Sequence, residues 1–109
     1  MLNDFYQGST KSFSGTIVYN GVNPDISLDT ITFIMKSNKD DTDAQAVLET
    51  TGSVAESGSV GTYYFNLTPT QTDIAASSYF YEINWLTSTS GSYVLEQSKI
   101  VVKERIEDI

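Results

Sequence analysis

Apolar and polar residues alternate with a period of two along most of the chain, the repeat of a strand with one buried face. Phe13, Gly15, Ile17 and Tyr19 interleave with Ser14, Thr16 and Val18, so this first strand turns its odd positions inward. Asn20-Gly21 then marks a turn, and Asn23-Pro24-Asp25 continues an irregular segment. Ile31, Phe33 and Met35 alternate with Thr30, Thr32 and Lys36 in a second strand, and the polar stretch 37–43 reads as a loop. Residues 44–51 fit a strand with Ala46 and Leu48 on one face and Val47 on the other, although Ala, Gln and Glu equally suit a helical turn. The Ser- and Gly-rich stretch 52–61 reads as a connecting loop, with Gly58-Ser59-Val60-Gly61 as its hairpin turn.

The second half repeats the pattern. Tyr63, Phe65 and Leu67 alternate with Thr62, Tyr64 and Asn66. Thr68-Pro69 with Gln71 carries a capping-box spacing, so a short helical turn from Pro69 to Ala75 is expected to cross between strands. Tyr79, Tyr81, Ile83 and Trp85 alternate with Phe80, Glu82 and Asn84 in the clearest strand of all. After a turn over 88–91, residues 93–103 form the last strand. Val94, Ile100 and Val102 share one parity there while Tyr93, Leu95 and Val101 share the other, which predicts a β-bulge.

Six or seven such strands at regular spacing, with crossings between them, predict an all-β fold: an immunoglobulin-like antiparallel β-sandwich of about seven strands. The 109 residues suit a single domain. Its core is expected over about 12–103, followed by a charged tail over 104–109. About a dozen large apolar side chains point inward, enough for a real core at roughly 1.5–3 kcal/mol each before chain entropy is subtracted. In the tail, Ile106 and Ile109 read either as a docking peptide or as a frayed end.

Composition narrows the chemistry. The chain has no cysteine and no histidine, so disulfides, thiolate metal sites, histidine bases and the usual nucleophilic triads are all out of reach. A net charge of −8 with six basic residues argues against nucleic-acid binding and against anionic membrane surfaces. There is no apolar run of membrane-spanning length, and residues 1–8 lack the features of a secretory signal, so synthesis in the cytoplasm is expected. The loop Asn38-Lys39-Asp40-Asp41-Thr42-Asp43 offers three or four oxygens to calcium, but it lacks an EF-hand's glycine and closing glutamate and holds Lys39. It reads as a solvated loop, and neither metal nor cofactor is expected. Glu82 has no nameable partner for acid–base work. The chain is therefore not expected to be an enzyme.

Most tyrosines fall on inward positions and suit a core better than a sugar-binding platform. Tyr64 and Phe80 occupy the opposite parity and are expected to form an exposed aromatic patch on adjacent strands, the kind of patch that marks an interface. Lys99 and Lys103 suit the blunting of an edge strand. Tyr64, Phe80, Lys99, Lys103, Ile106 and Ile109 are thus the candidate interaction residues.

The run Gly61-Thr62-Tyr63-Tyr64-Phe65-Asn66-Leu67-Thr68, then Thr72-Asp73-Ile74, then Tyr79-Phe80-Tyr81-Glu82-Ile83 resembles a phage and prophage module. It is similar to the amino-terminal domain of baseplate upper proteins and related immunoglobulin-like virion domains. Earlier, Pro24-Asp25-Ile26-Ser27-Leu28 and Thr30-Ile31-Thr32-Phe33-Ile34-Met35-Lys36 fit as well, so the likeness runs from about Phe13 to Val102. It implies a virion structural protein of tail, baseplate, neck or capsid decoration, made in the host bacterial cytoplasm and built into the particle. Its partners would be other virion proteins, or further copies of itself as a homo-oligomer. A carbohydrate- or cell-surface-binding module of an adhesin is the alternative. Tyr79 also resembles the tyrosine-corner residue of sandwich folds, its hydroxyl tied back near Asp73.

Overall fold

The computed structural model describes residues 2–54 and 61–106. They form an all-β sandwich of two sheets. The larger places β1 (Phe5–Tyr6), β8 (Ser92–Lys103), β7 (Ser77–Leu86), β3 (Thr30–Lys36) and β4 (Leu48–Thr51) side by side in that order. The smaller is β2 (Lys11–Thr16), β6 (Thr62–Leu67) and β5 (Ser53–Val54). With β2 as B and β8 as G, the sheets read A′-G-F-C-C′ and B-E-D, the immunoglobulin order in which C′ joins the G-F-C sheet. The expectation of wholly antiparallel pairing needs one correction. β1 runs parallel to β8, Phe5 opposite Val102. Phe5 is buried in the core, and Asp4 accepts the Val101 N–H, so burying that ring lays the start of the chain along the last strand.

The inward parities hold over Ile31, Phe33 and Met35, over Tyr63, Phe65 and Leu67, and over Tyr79, Tyr81, Ile83 and Trp85, all of them buried. Phe33 lies at the centre, its ring 5.4 Å from Phe13, 5.9 Å from Phe65 and 5.8 Å from Tyr81. Gly15 is inward too, and a Cβ there would come within 2.4 Å of the Tyr63 hydroxyl, so that ring needs a glycine opposite it.

Other expectations shift. β2 ends at Thr16, so Tyr19 does not continue inward. Asn20 (φ 52°) and Gly21 (φ 79°) make a two-residue turn with Tyr19 and Val22 bonded to each other across it. Positive φ at both central residues is the primed geometry that Asn-Gly favours. Residues 44–51 split: Thr42 and Gln45 cap a single 3₁₀ turn over Asp43–Gln45, and a strand follows only from Leu48. Part of the expected loop 52–61 is β5, paired with Tyr63 and Tyr64. The hairpin turn placed at 58–61 lies outside the described residues except for Gly61.

The helix is shorter than expected, Pro69–Thr72, but its capping box is formed: Thr68 Oγ1 accepts from the Gln71 N–H while the Gln71 carboxamide oxygen accepts from the Thr68 N–H. Buried Thr72 stops it, donating its hydroxyl to the Ser9 carbonyl at 2.6 Å and so tying the helix to the start of β2. The bulge is present. Ile83 faces Glu96 but Asn84 faces Val94, so Leu95 is the extra residue. It leaves Ile100 and Val102 inside and turns Val94 out, which separates the residues that parity had grouped together.

Tyr79 forms the corner as expected, donating to the Ala75 carbonyl at 2.5 Å, two residues beyond Asp73 in the crossing between β6 and β7. Tyr79→Phe keeps the ring and leaves that carbonyl without its donor. A loss of about 1–3 kcal/mol is expected, read as a lowered urea midpoint with unchanged far-UV dichroism.

Candidate interaction surfaces

Tyr64 and Phe80 do not form a joint patch. Tyr64, 46% exposed, stands on the outer face of the three-stranded sheet between Ser14 and Ser53. Phe80 lies on the outer face of the five-stranded sheet, on the far side of the sandwich. The helical crossing from β6 to β7 carries the chain from one sheet to the other, and outward positions on opposite sheets point in opposite directions. Phe80 is also half covered. Lys39 and Lys99 hold their ammonium groups 5.2 and 5.6 Å from its ring centre, two cation–π contacts on one ring. The shallow depression beside it, about 220 Å³, is lined by Ile34, Lys36, Glu82 and Gln97 among others.

The two lysines differ in setting. Lys103 lies over Tyr6 at 5.5 Å, where β1 already covers the edge, whereas Lys99, over Phe80, stands on the stretch of β8 that β1 leaves open. The charged tail is partly anchored, since Arg105 donates its backbone N–H to Gln7 and its guanidinium to the Gly8 carbonyl. Ile106, just beyond, is fully exposed. Ile109 lies outside the described residues.

The acidic loop is organised around a lysine. Lys36 reaches the Asp43 carboxylate at 2.8 Å and the Asp41 carbonyl at 3.0 Å, while Asp41 accepts the Asn38 N–H. An ammonium thus sits among the oxygens that calcium would need. Among the described residues no group of three or more carboxylates is placed to hold a metal ion. Glu82 faces outward as expected and accepts from Asn84.

Inside the sandwich, the Tyr81 hydroxyl donates to the Glu96 carboxylate and accepts the Leu2 N–H. Burial, with the Glu96 bond second, pushes the Tyr81 phenol up to about 12. Burial also raises Tyr63, and the Glu96 charge adds to it.

Sequence reasoning missed one grouping, at one end of the sandwich. Trp85 is buried, and its indole N–H donates to Asp29 at 2.7 Å, while Asp29 also accepts the Ser88 N–H. Against it stand Tyr93, 4.9 Å between ring centres, and Tyr19, 5.8 Å, with the two tyrosines 5.5 Å apart. A hydrogen bond with the Tyr19 hydroxyl raises the Tyr93 phenol. Both tyrosines keep about two fifths of their surface exposed, and Val22, across the turn from Tyr19, keeps 62%. The one available signal was Asn20-Gly21, because strand parity cannot be carried into a tight turn. The rings are inclined at 61° and 77° about Tyr19, not laid out as the coplanar row that a sugar platform requires.

Compared with protein-family models, curated proteins and solved structures, the chain has no significant match.

Proposed function

We propose that this chain is a non-enzymatic structural component of a phage or prophage particle, working through protein–protein contacts with other virion proteins. The observation that carries the contact role is the tip: Tyr19, Val22 and Tyr93 hold exposed apolar surface in one place, on a base of buried Trp85. Rigid aromatic groups at the surface lose little freedom on binding, and clustered exposed apolar groups mark interfaces. Favouring a particle setting are the likeness of the runs 61–68 and 79–83 to virion modules and the immunoglobulin-type strand order. Repetition by the symmetry of the particle would multiply a modest contact into stable attachment.

Tyr19→Ser combined with Tyr93→Ser tests the tip. Removing two anchors of one hot spot should weaken binding by about thirty-fold or more, with melting still cooperative. The measurement is sedimentation velocity of the chain mixed with the products of adjacent virion genes. A wild-type chain that binds none of them would defeat the role. So would a double variant that binds as well as the parent. The tilted rings make glycan binding the weaker reading, and saturation-transfer NMR over a glycan panel separates the two.

A further inference from the structure

We propose that the free edge of β2 pairs with the same edge of a second copy, antiparallel about a two-fold axis at Ser14, joining two three-stranded sheets into one of six. The edge is built for pairing. Ile17 donates its N–H to Gly61 O, and bonded pairs alternate along an antiparallel ladder, so Lys11, Phe13 and Gly15 also face β6. Ser12, Ser14 and Thr16 therefore turn their backbone N–H and C=O away from the sheet, and among the described residues no strand pairs with that side.

The other edges are guarded. β1 and β5 are two residues long, β4 carries Glu49, and the part of β8 beyond β1 has the Leu95 bulge together with Glu96 and Lys99. Short length, charge and bulges are the devices that keep edges from pairing, and residues 12–16 have none of them.

A second copy is the occupant this edge fits. Any exposed charged face of a chain carrying −8 repels its own copy, whereas 12–16 is uncharged. Centring on Ser14 sets Ser14 opposite Ser14 and Ser12 opposite Thr16, all three with outward backbone groups. Their hydroxyls then continue the row already formed by Ser12 with Asn66 and Thr16 with Thr62. The same register sets Phe13 of each copy opposite Gly15 of the other, so no two bulky side chains face each other across the seam; each Phe13 ring stays packed on Phe33 and Phe65 of its own core. Lys11 then faces Ile17, so like charges never meet. Isologous pairing of this kind closes at two copies.

The pairing uses residues other than the tip and does not depend on a particle setting. Sedimentation equilibrium of the chain alone should show mass rising from one chain to two with concentration. Added salt should strengthen the association, because it screens the repulsion of two acidic chains. Ser14→Pro removes an outward N–H that the folded monomer does not use, and proline is tolerated there on an edge, so the variant should stay folded and monomeric. Ser14→Lys sets two like charges opposite each other and should weaken pairing about five-fold or more. If the proline variant fails to fold, the lysine variant decides. A wild type monomeric at every concentration, or variants that dimerise like the parent, would overturn the proposal. Tyr19→Ser should leave the dimer intact, so loss of self-pairing and loss of partner binding are scored separately.

Discussion

Phe33→Ala is expected to remove about 3–5 kcal/mol of stability, a large share of the roughly 5–15 kcal/mol that holds a domain together. Phe33 has no exposed surface, and its ring meets Phe13 and Phe65 from one sheet and Tyr81 from its own. Those neighbours are fixed by the ladders of β2, β6 and β7, so the walls cannot collapse into the space left behind. The loss therefore combines transfer and cavity contributions. Trp85, the chain's single tryptophan, reports unfolding in urea. With a slope of about 1–2 kcal/mol per molar, the midpoint should fall by more than about 1.5 M. A shift under about 0.5 M would mean that this ring is not the keystone of the interior.

The second large effect lies on the alkaline side. Tyr81 holds its proton more tightly in the folded state, up to about 12, than at the ordinary 10.0 of an unfolded chain. A group with a raised folded pKa stabilises the fold fully below its unfolded value, and that contribution drains away as pH climbs through the folded value. Stability should hold up to about pH 10 and fall between about 10 and 12, with Tyr63 adding to the slope because it is shifted the same way. Physically, a buried phenolate would face the Glu96 carboxylate instead of donating to it. Tyr81→Phe should be less stable at pH 8 by about 1–3 kcal/mol, since the Leu2 N–H and Glu96 both lose a partner. It should also lose less stability between pH 10 and 12 than the wild type. Urea midpoints at pH 8, 10 and 11.5 measure both effects. Parallel pH curves for the two proteins would show that Tyr81 does not set the alkaline limit.

Much of the fold was legible because its signals are local. The strand from Tyr79 to Trp85 carries four large side chains at strict alternation, and nothing in its neighbourhood competes with that period. The Thr68–Gln71 capping box depends on atoms three residues apart and formed as its spacing implied. The clash of parities in the last strand correctly called for a bulge, because the inward phase of a strand can change along its length only where an extra residue shifts it. Even the turn at Asn20-Gly21 was readable from backbone preference alone.

What escaped depended on distance. Phe5 and Tyr6 lie in a stretch with no repeat to betray a strand, and only the parallel partner at Val102 and Lys103, almost a chain length away, makes them one. Lys99 and Lys103 gained aromatic partners on other strands. The Tyr19, Trp85 and Tyr93 cluster joins a turn, a strand and the far side of a bulge.

The chain by itself thus determined which side chains face in along β3, β6 and β7, where the Thr68 cap and the Asn20-Gly21 turn interrupt the strands, and that histidine and cysteine chemistry has no place here. Those properties follow from side-chain geometry and composition within a few residues. Tertiary structure alone decided which sheet each strand joins, and with it that Tyr64 and Phe80 look away from each other and that β2 keeps an open edge. Parity says whether a residue points in or out of its own sheet, but only long-range hydrogen bonding says where that sheet lies.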